Sequence, residues 1–213
     1  MTKDPKPIAP TNAAWPLGTL TLLFLLGLAF ELDYGSRAHR GLGPEPLPAL
    51  WVLDGADPKP WQFVSYAFVH GFRWHLHSNM MALLPSSLLV ERRIGSARTI
   101  AHFLLLSVCV SVGFHLLDPR DLYGASGVTT GFIGMAALLW LLARDKAWWQ
   151  RAIPLLLALA YVTREELWPA FQGHPSPGWK AHLVGAVCGI ALALAHGKWR
   201  DAGNEVSPAA LDP

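Results

Sequence analysis

Charged side chains are scarce in this sequence. Asp, Glu, Lys and Arg make up 15% of its 213 residues, against about 25% in ordinary soluble domains. With 52% hydrophobic residues, the chain cannot cover a water-facing surface and reads as a membrane protein. The net charge is only +2 and no basic run occurs, which argues against nucleic acid as a partner. Cysteine is nearly absent. Cys109 and Cys188 each sit in an apolar run, and there is no CxxC. A disulfide framework and a zinc ribbon are therefore not expected, and the two thiols read as small buried hydrophobes. No HExxH occurs and no carboxylate neighbours His70, His75 or His77, so no metal site is expected. There is no internal repeat, which speaks against a transporter built from paired halves. The length suits one domain.

What the chain does have is apolar segments, at 15–30, 74–90, 99–117, 126–143, 151–163 and 180–197. No A-x-A cleavage site follows the first, so it reads as a retained helix rather than a signal peptide. Several fall short of the ~20 residues that span a bilayer, which is tolerated where helices surround one another. The expectation is an all-α membrane protein with six transmembrane helices. Residues 1–14 form a cytoplasmic tail, 15–197 the membrane domain and 198–213 a second cytoplasmic tail. Residues 31–70 read as a long Gly- and Pro-rich loop whose aromatic residues suit the membrane interface. Trp residues near the helix ends read as an interfacial belt.

Basic residues set the orientation. With the N-terminus inside, the cytoplasmic segments carry Lys3, Lys6, Arg92, Arg93, Arg98, Arg144, Lys146, Lys198 and Arg200. The longer outer segments carry only Arg37, Arg40, Lys59, Arg73, Arg120 and Arg164. The density favours a cytoplasmic N-terminus. The second, fourth and sixth helices then all start near the outer face, and each start brings polar side chains. The second has His75 and Asn79, four apart and so on one face. The fourth begins at Ser126, flanked by glycines in Gly124-Ala125-Ser126-Gly127. The sixth begins at Ala181-His182.

Polar residues in membrane helices are costly and usually face a bundle interior or cavity. Gly127, Gly131 and Gly134 on the fourth helix, and Ala181, Gly185, Gly189 and Ala193 on the sixth, make two smooth faces that allow close approach. Contact there would bring His182 beside Ser126. A serine needs a neighbouring base to become a nucleophile, and neutral histidine suits that role. The Ser126 backbone N–H, His75 and Asn79 are candidate donors to an oxyanion. No acidic residue lies at comparable depth near His182, so a Ser–His dyad is expected rather than a triad. His77, His102 and His115 receive no catalytic role.

These residues resemble the rhomboid family of intramembrane serine proteases. His70 followed by His75-Leu76-His77-Ser78-Asn79, Gly124–Gly127, Ala181-His182-Leu183-Val184-Gly185 and Glu91-Arg92-Arg93-Ile94-Gly95 are similar to its motifs, in order and spacing. The resemblance spans about residues 15–197. It implies the six-helix rhomboid core, with Ser126 as nucleophile and His182 as general base. His75 and Asn79 would stabilise the oxyanion, supported by His70, Gly124, Gly127 and Gly185. The long first loop would lie in the membrane, and residues 164–179 would form a cap over the site. The implied substrates are single-pass membrane proteins cut at or near the outer face, and the expected location is the inner (cell) membrane. No cofactor is implied, and no oligomeric state follows. One position departs from the pattern. Thr130 stands where many members carry an aromatic residue that packs on the catalytic histidine. Three readings compete with a general protease: a non-catalytic relative that escorts membrane clients, a small transporter or channel, and a rhombosortase-like specialist.

Overall fold

The structure is a computed structural model. It describes residues 15–39, 49–143, 146–174, 176 and 178–204. The expected tail at 1–14 and residues 205–213 of the second tail lie outside the described residues. So do Arg40 and Arg144, two of the orientation markers.

Six long helices make up most of the described chain: α1 (Leu17–His39), α3 (Arg73–Ile94), α4 (Ser96–Leu117), α5 (Ser126–Leu141), α6 (Trp148–Val162) and α8 (Trp179–Asn204). The short helices α2 (Gln62–Ser65) and α7 (Trp168–Phe171) lie in the connections. Among the described residues there are no strands, only an isolated antiparallel bridge between Leu53 and Leu122. Helices α1, α4 and α8 contain stretches long and apolar enough to cross a membrane, and α5 is a shorter apolar helix. Leucines, valines and isoleucines stand exposed along α1, α4, α6 and α8, among them Leu104, Leu105, Leu156 and Val187. Such a surface suits lipid rather than water.

Several boundaries differ from the sequence reading. Helix α1 runs to His39, nine residues beyond the apolar stretch, because Glu31 and Asp33 end the hydrophobicity without breaking the helix. The presumed loop at 31–70 is therefore helical in its first part. From residue 49 to 70 the chain is also ordered against the core rather than open. The Tyr66 hydroxyl donates to Ser107 O (3.2 Å), the Ser111 hydroxyl donates to Phe63 O (2.9 Å), and buried Gln62 bonds Ala49 O with its side-chain amide. Helix α6 passes through Pro154 without ending, as membrane helices tolerate when neighbours re-satisfy the freed carbonyl.

Helix α3 is too polar to read as a span by hydropathy alone, and several of its polar groups are satisfied within the protein. Ser86 and Ser87 hydroxyls return to carbonyls of Ala82 and Leu83. Buried Glu91 caps the start of α1. It accepts from Gly18 N (2.9 Å), Thr19 N (2.8 Å) and the Thr19 hydroxyl (2.6 Å), and also from the Ser96 hydroxyl. A carboxylate there satisfies orphan N–H groups and complements the positive helix end. This contact locks α1 to the α3–α4 turn.

The contact that matters most for function is α5 against α8. A Cβ placed on Gly185 would lie 2.0 Å from Gly127 O, and one on Gly189 would lie 1.9 Å from Gly131 O. No side chain fits at either position. The two smooth faces read from the sequence do meet, and the small residues let the backbones touch.

Candidate active site

Ser126 is the first residue of α5, with Ala125 as N-cap. Its N–H is one of the four at a helix start that have no intrahelical acceptor. The chain enters this helix through Gly124 at φ +96°, a conformation that L side chains rarely adopt. Gly124 N donates to Tyr66 O (2.9 Å), which fixes the turn to the segment after α2. A Cβ on Gly124 would strike the His75 ring, 2.7 Å from Nε2. Glycine therefore serves twice, by its backbone angle and by letting His75 lie over the turn that presents Ser126.

His182 lies in the first turn of α8, 7% exposed. Ser126, His182, His75 and Asn79 all line one cavity of about 410 Å³. Phe72, Arg120, Asp121 and Ser176 also border it. Asn79 is buried and its side-chain amide nitrogen lies 3.0 Å from His70 Nε2. The Ala125 N–H reaches the same nitrogen at 3.4 Å. His70 thus acts behind the cavity as an acceptor that aims Asn79 and steadies the residue before Ser126. His70 and His75 rings meet edge-on with centroids 4.9 Å apart. His77 is exposed and takes no part.

The sequence reading missed two residues. The first is Glu166, whose Oε1 is bonded to His182 Nδ1. The expectation that no acidic residue reaches His182 is thereby corrected. Glu166 lies in a single π turn, Thr163–Leu167, at the end of α6. This turn continues the helix into residues expected to be cap loop. The second is Tyr161, whose ring meets the His182 ring edge-on at 6.3 Å. Thr130, at the position where an aromatic was expected, bonds the Ser126 carbonyl through its hydroxyl (2.8 Å) and lies 3.5 Å from the Tyr161 hydroxyl. The aromatic neighbour of the histidine therefore comes from another helix. The only trace in the sequence is the adjacent acids Glu165-Glu166, which stand out in a chain so poor in charge.

Outside the apolar layer, Asp118 holds the end of α4 near the start of α8. It accepts from Arg120 Nε (2.8 Å) and Arg120 Nη2 (2.6 Å), and from Lys180 Nζ (3.1 Å). The Arg120 hydrogen bond, with Lys180 and the two positive charges adding to it, holds the Asp118 carboxyl well below the usual carboxylate range.

A serine at a helix start, an imidazole and two further polar side chains around one cavity are the kinds of group that acyl transfer uses. No curated protein matches this sequence. A family model described as the Rhomboid domain matches residues 57–199, which is more than half of the chain. The matched span contains every residue of the cavity named above, and the chain belongs to the rhomboid family of intramembrane serine proteases.

Proposed function

We propose that this protein is an intramembrane serine endopeptidase with Ser126 as nucleophile and His182 as general base. The observation that carries the reading is the shared cavity of Ser126, His182, His75 and Asn79. In the reaction, the His182 imidazole takes the Ser126 hydroxyl proton as Oγ attacks the scissile carbonyl. The negative oxygen of the tetrahedral intermediate accepts from the Ser126 N–H, His75 and Asn79. The imidazolium then protonates the leaving amine, the C–N bond breaks, and an acyl-enzyme remains. Water, activated by the same imidazole, releases the new carboxyl terminus. Gly124, Gly127 and Gly185 support this arrangement by allowing the turn and the α5–α8 contact.

The substrates are single-pass membrane proteins, cut at or near the outer face of the inner (cell) membrane. The six long helices form the membrane domain at 15–197, with the N-terminus cytoplasmic. This orientation rests on the distribution of basic residues, and it puts the three polar helix starts near the outer face. A second, lined groove of about 240 Å³ lies between α3, α5 and α6 and shares Ser78 and Tyr161 with the cavity. Its largely apolar lining suits the approach of a transmembrane segment from the lipid side.

The test is cleavage of a reporter transmembrane substrate by the protein in liposomes. Wild type cleaves, while Ser126→Ala and His182→Ala fall by about 10³-fold or more with unchanged thermal unfolding. Cleavage at the wild-type rate by either variant contradicts the assignment.

A further inference from the structure

We propose that Glu166 is a positioning residue for His182, so that the catalytic unit is Ser126–His182–Glu166 rather than a pair. The inference rests on the reading of His182 as the general base.

The geometry has three parts. Glu166 Oε1 is bonded to His182 Nδ1. An ionised carboxylate only accepts, so Nδ1 carries the hydrogen and Nε2 is left as the basic nitrogen. Nε2 lies 3.4 Å from where a Gly178 Cβ would sit, on the cavity that Ser126 also lines. The bonded carboxylate therefore selects the tautomer that a general base requires. It also stabilises the imidazolium that forms when the Ser126 proton is taken. Both side chains are sheltered, His182 at 9% and Glu166 at 23% exposure, so water screens the pair only in part.

The second part is how the backbone delivers Glu166. Tyr161 and Glu166 are five apart. On a regular α-helix, residues three or four apart share a face and residues five apart diverge. The π turn at Thr163–Leu167 replaces i→i+4 bonding with i→i+5. It rotates Glu166 back onto the side of Tyr161, and both then meet the same imidazole. Such single π turns cost stability and are frequent at functional sites.

The third part is the company His182 keeps. The other titratable or charged groups lining the cavity are His75 on α3, Arg120, Asp121 and Tyr123 before α5, Tyr161 on α6, and Glu165 on the π turn. Among these and Glu166, the direct bond to the ring is made by Glu166.

The experiment uses full-length protein in liposomes with a reporter transmembrane substrate. It compares wild type, Glu166→Gln, Glu166→Asp and His182→Ala by kcat, KM and thermal unfolding. Glu166→Gln should lower kcat about 100-fold with KM little changed. Glu166→Asp should recover part of that rate. A wild-type kcat in Glu166→Gln overturns the inference. So does a loss that lies in KM instead of kcat, or one that Glu166→Asp does not partly recover, because a merely structural side chain gives those results. Should Glu166→Gln fail to fold, Glu166→Ala decides by the same kcat and KM criteria. Wild-type cleavage in His182→Ala would instead sink the general-base reading itself, whereas an inactive His182→Ala beside a wild-type-like Glu166→Gln would remove Glu166 alone.

Discussion

Gly124 shows how much one residue can determine. Its positive φ and the His75 ring above it leave no room for a side chain. Alanine there would pay for a left-handed backbone, about 1–2 kcal/mol, and push His75 from the cavity. Gly124→Ala should lower stability by that order and reduce cleavage more than the stability loss explains. Unfolding in detergent measured beside kcat checks both, and wild-type values for either would contradict the placement of His75. At this scale the sequence was informative about residues and silent about partners. Gly-x-Ser-Gly marks Ser126, and the four-residue spacing puts His75 and Asn79 on one face. Nothing in the spacing says that His70 lies behind Asn79, because that contact joins a loop to a helix through tertiary folding. Glu166 was illegible for a sharper reason. Its orientation depends on a π turn, and sequence periodicity is read on a 3.6-residue helix.

At the scale of elements, the smooth faces of α5 and α8 decide whether Ser126 and His182 share a cavity. The clearance along this seam is graded. A Cβ on Gly185 meets Gly127 O at 2.0 Å, whereas one on Gly134 meets Ala186 O at 3.1 Å. Gly185→Ala should therefore force the helices apart, costing about 3 kcal/mol or more, and abolish cleavage. Gly134→Ala should cost about 1 kcal/mol and leave most activity. Equal unfolding temperatures for the two variants would contradict the seam. The four-residue repeat of small residues made this pairing readable in advance. The ends of elements were less readable. Hydrophobicity marks where an apolar run stops, and α1 continues to His39 as a polar helix. The run at 151–163 concealed a helix that starts at Trp148 and passes through Pro154, because proline is a weaker breaker when other helices surround it.

For the whole molecule, two carboxylates tie helix ends to one another. Glu91 holds α1 to the α3–α4 turn, and Asp118 joins the end of α4 to Arg120 and to Lys180 on α8. Asp118 is depressed in the folded protein, so its stabilisation is present above the ordinary carboxylate value of about 4. It is lost as pH falls through the lower folded value. Asp118→Asn should lower the unfolding temperature at neutral pH, and the gap to wild type should close as the pH drops below about 4. A gap that persists unchanged in acid would contradict the role of the carboxylate charge. The deficit of charge in the sequence pointed to a membrane protein. Of the few charges left, Glu91 and Asp118 sit where helices end, and Glu166 sits against His182.

The central claim is that His182 activates Ser126. A fluorophosphonate reacts with an activated serine and leaves a covalent mark, so labelling the protein in liposomes and mapping the modified peptide tests it most directly. Wild type should carry the label on Ser126, and Ser126→Ala and His182→Ala should carry none. Labelling of folded His182→Ala at the wild-type rate, or a label on another serine, would contradict the account.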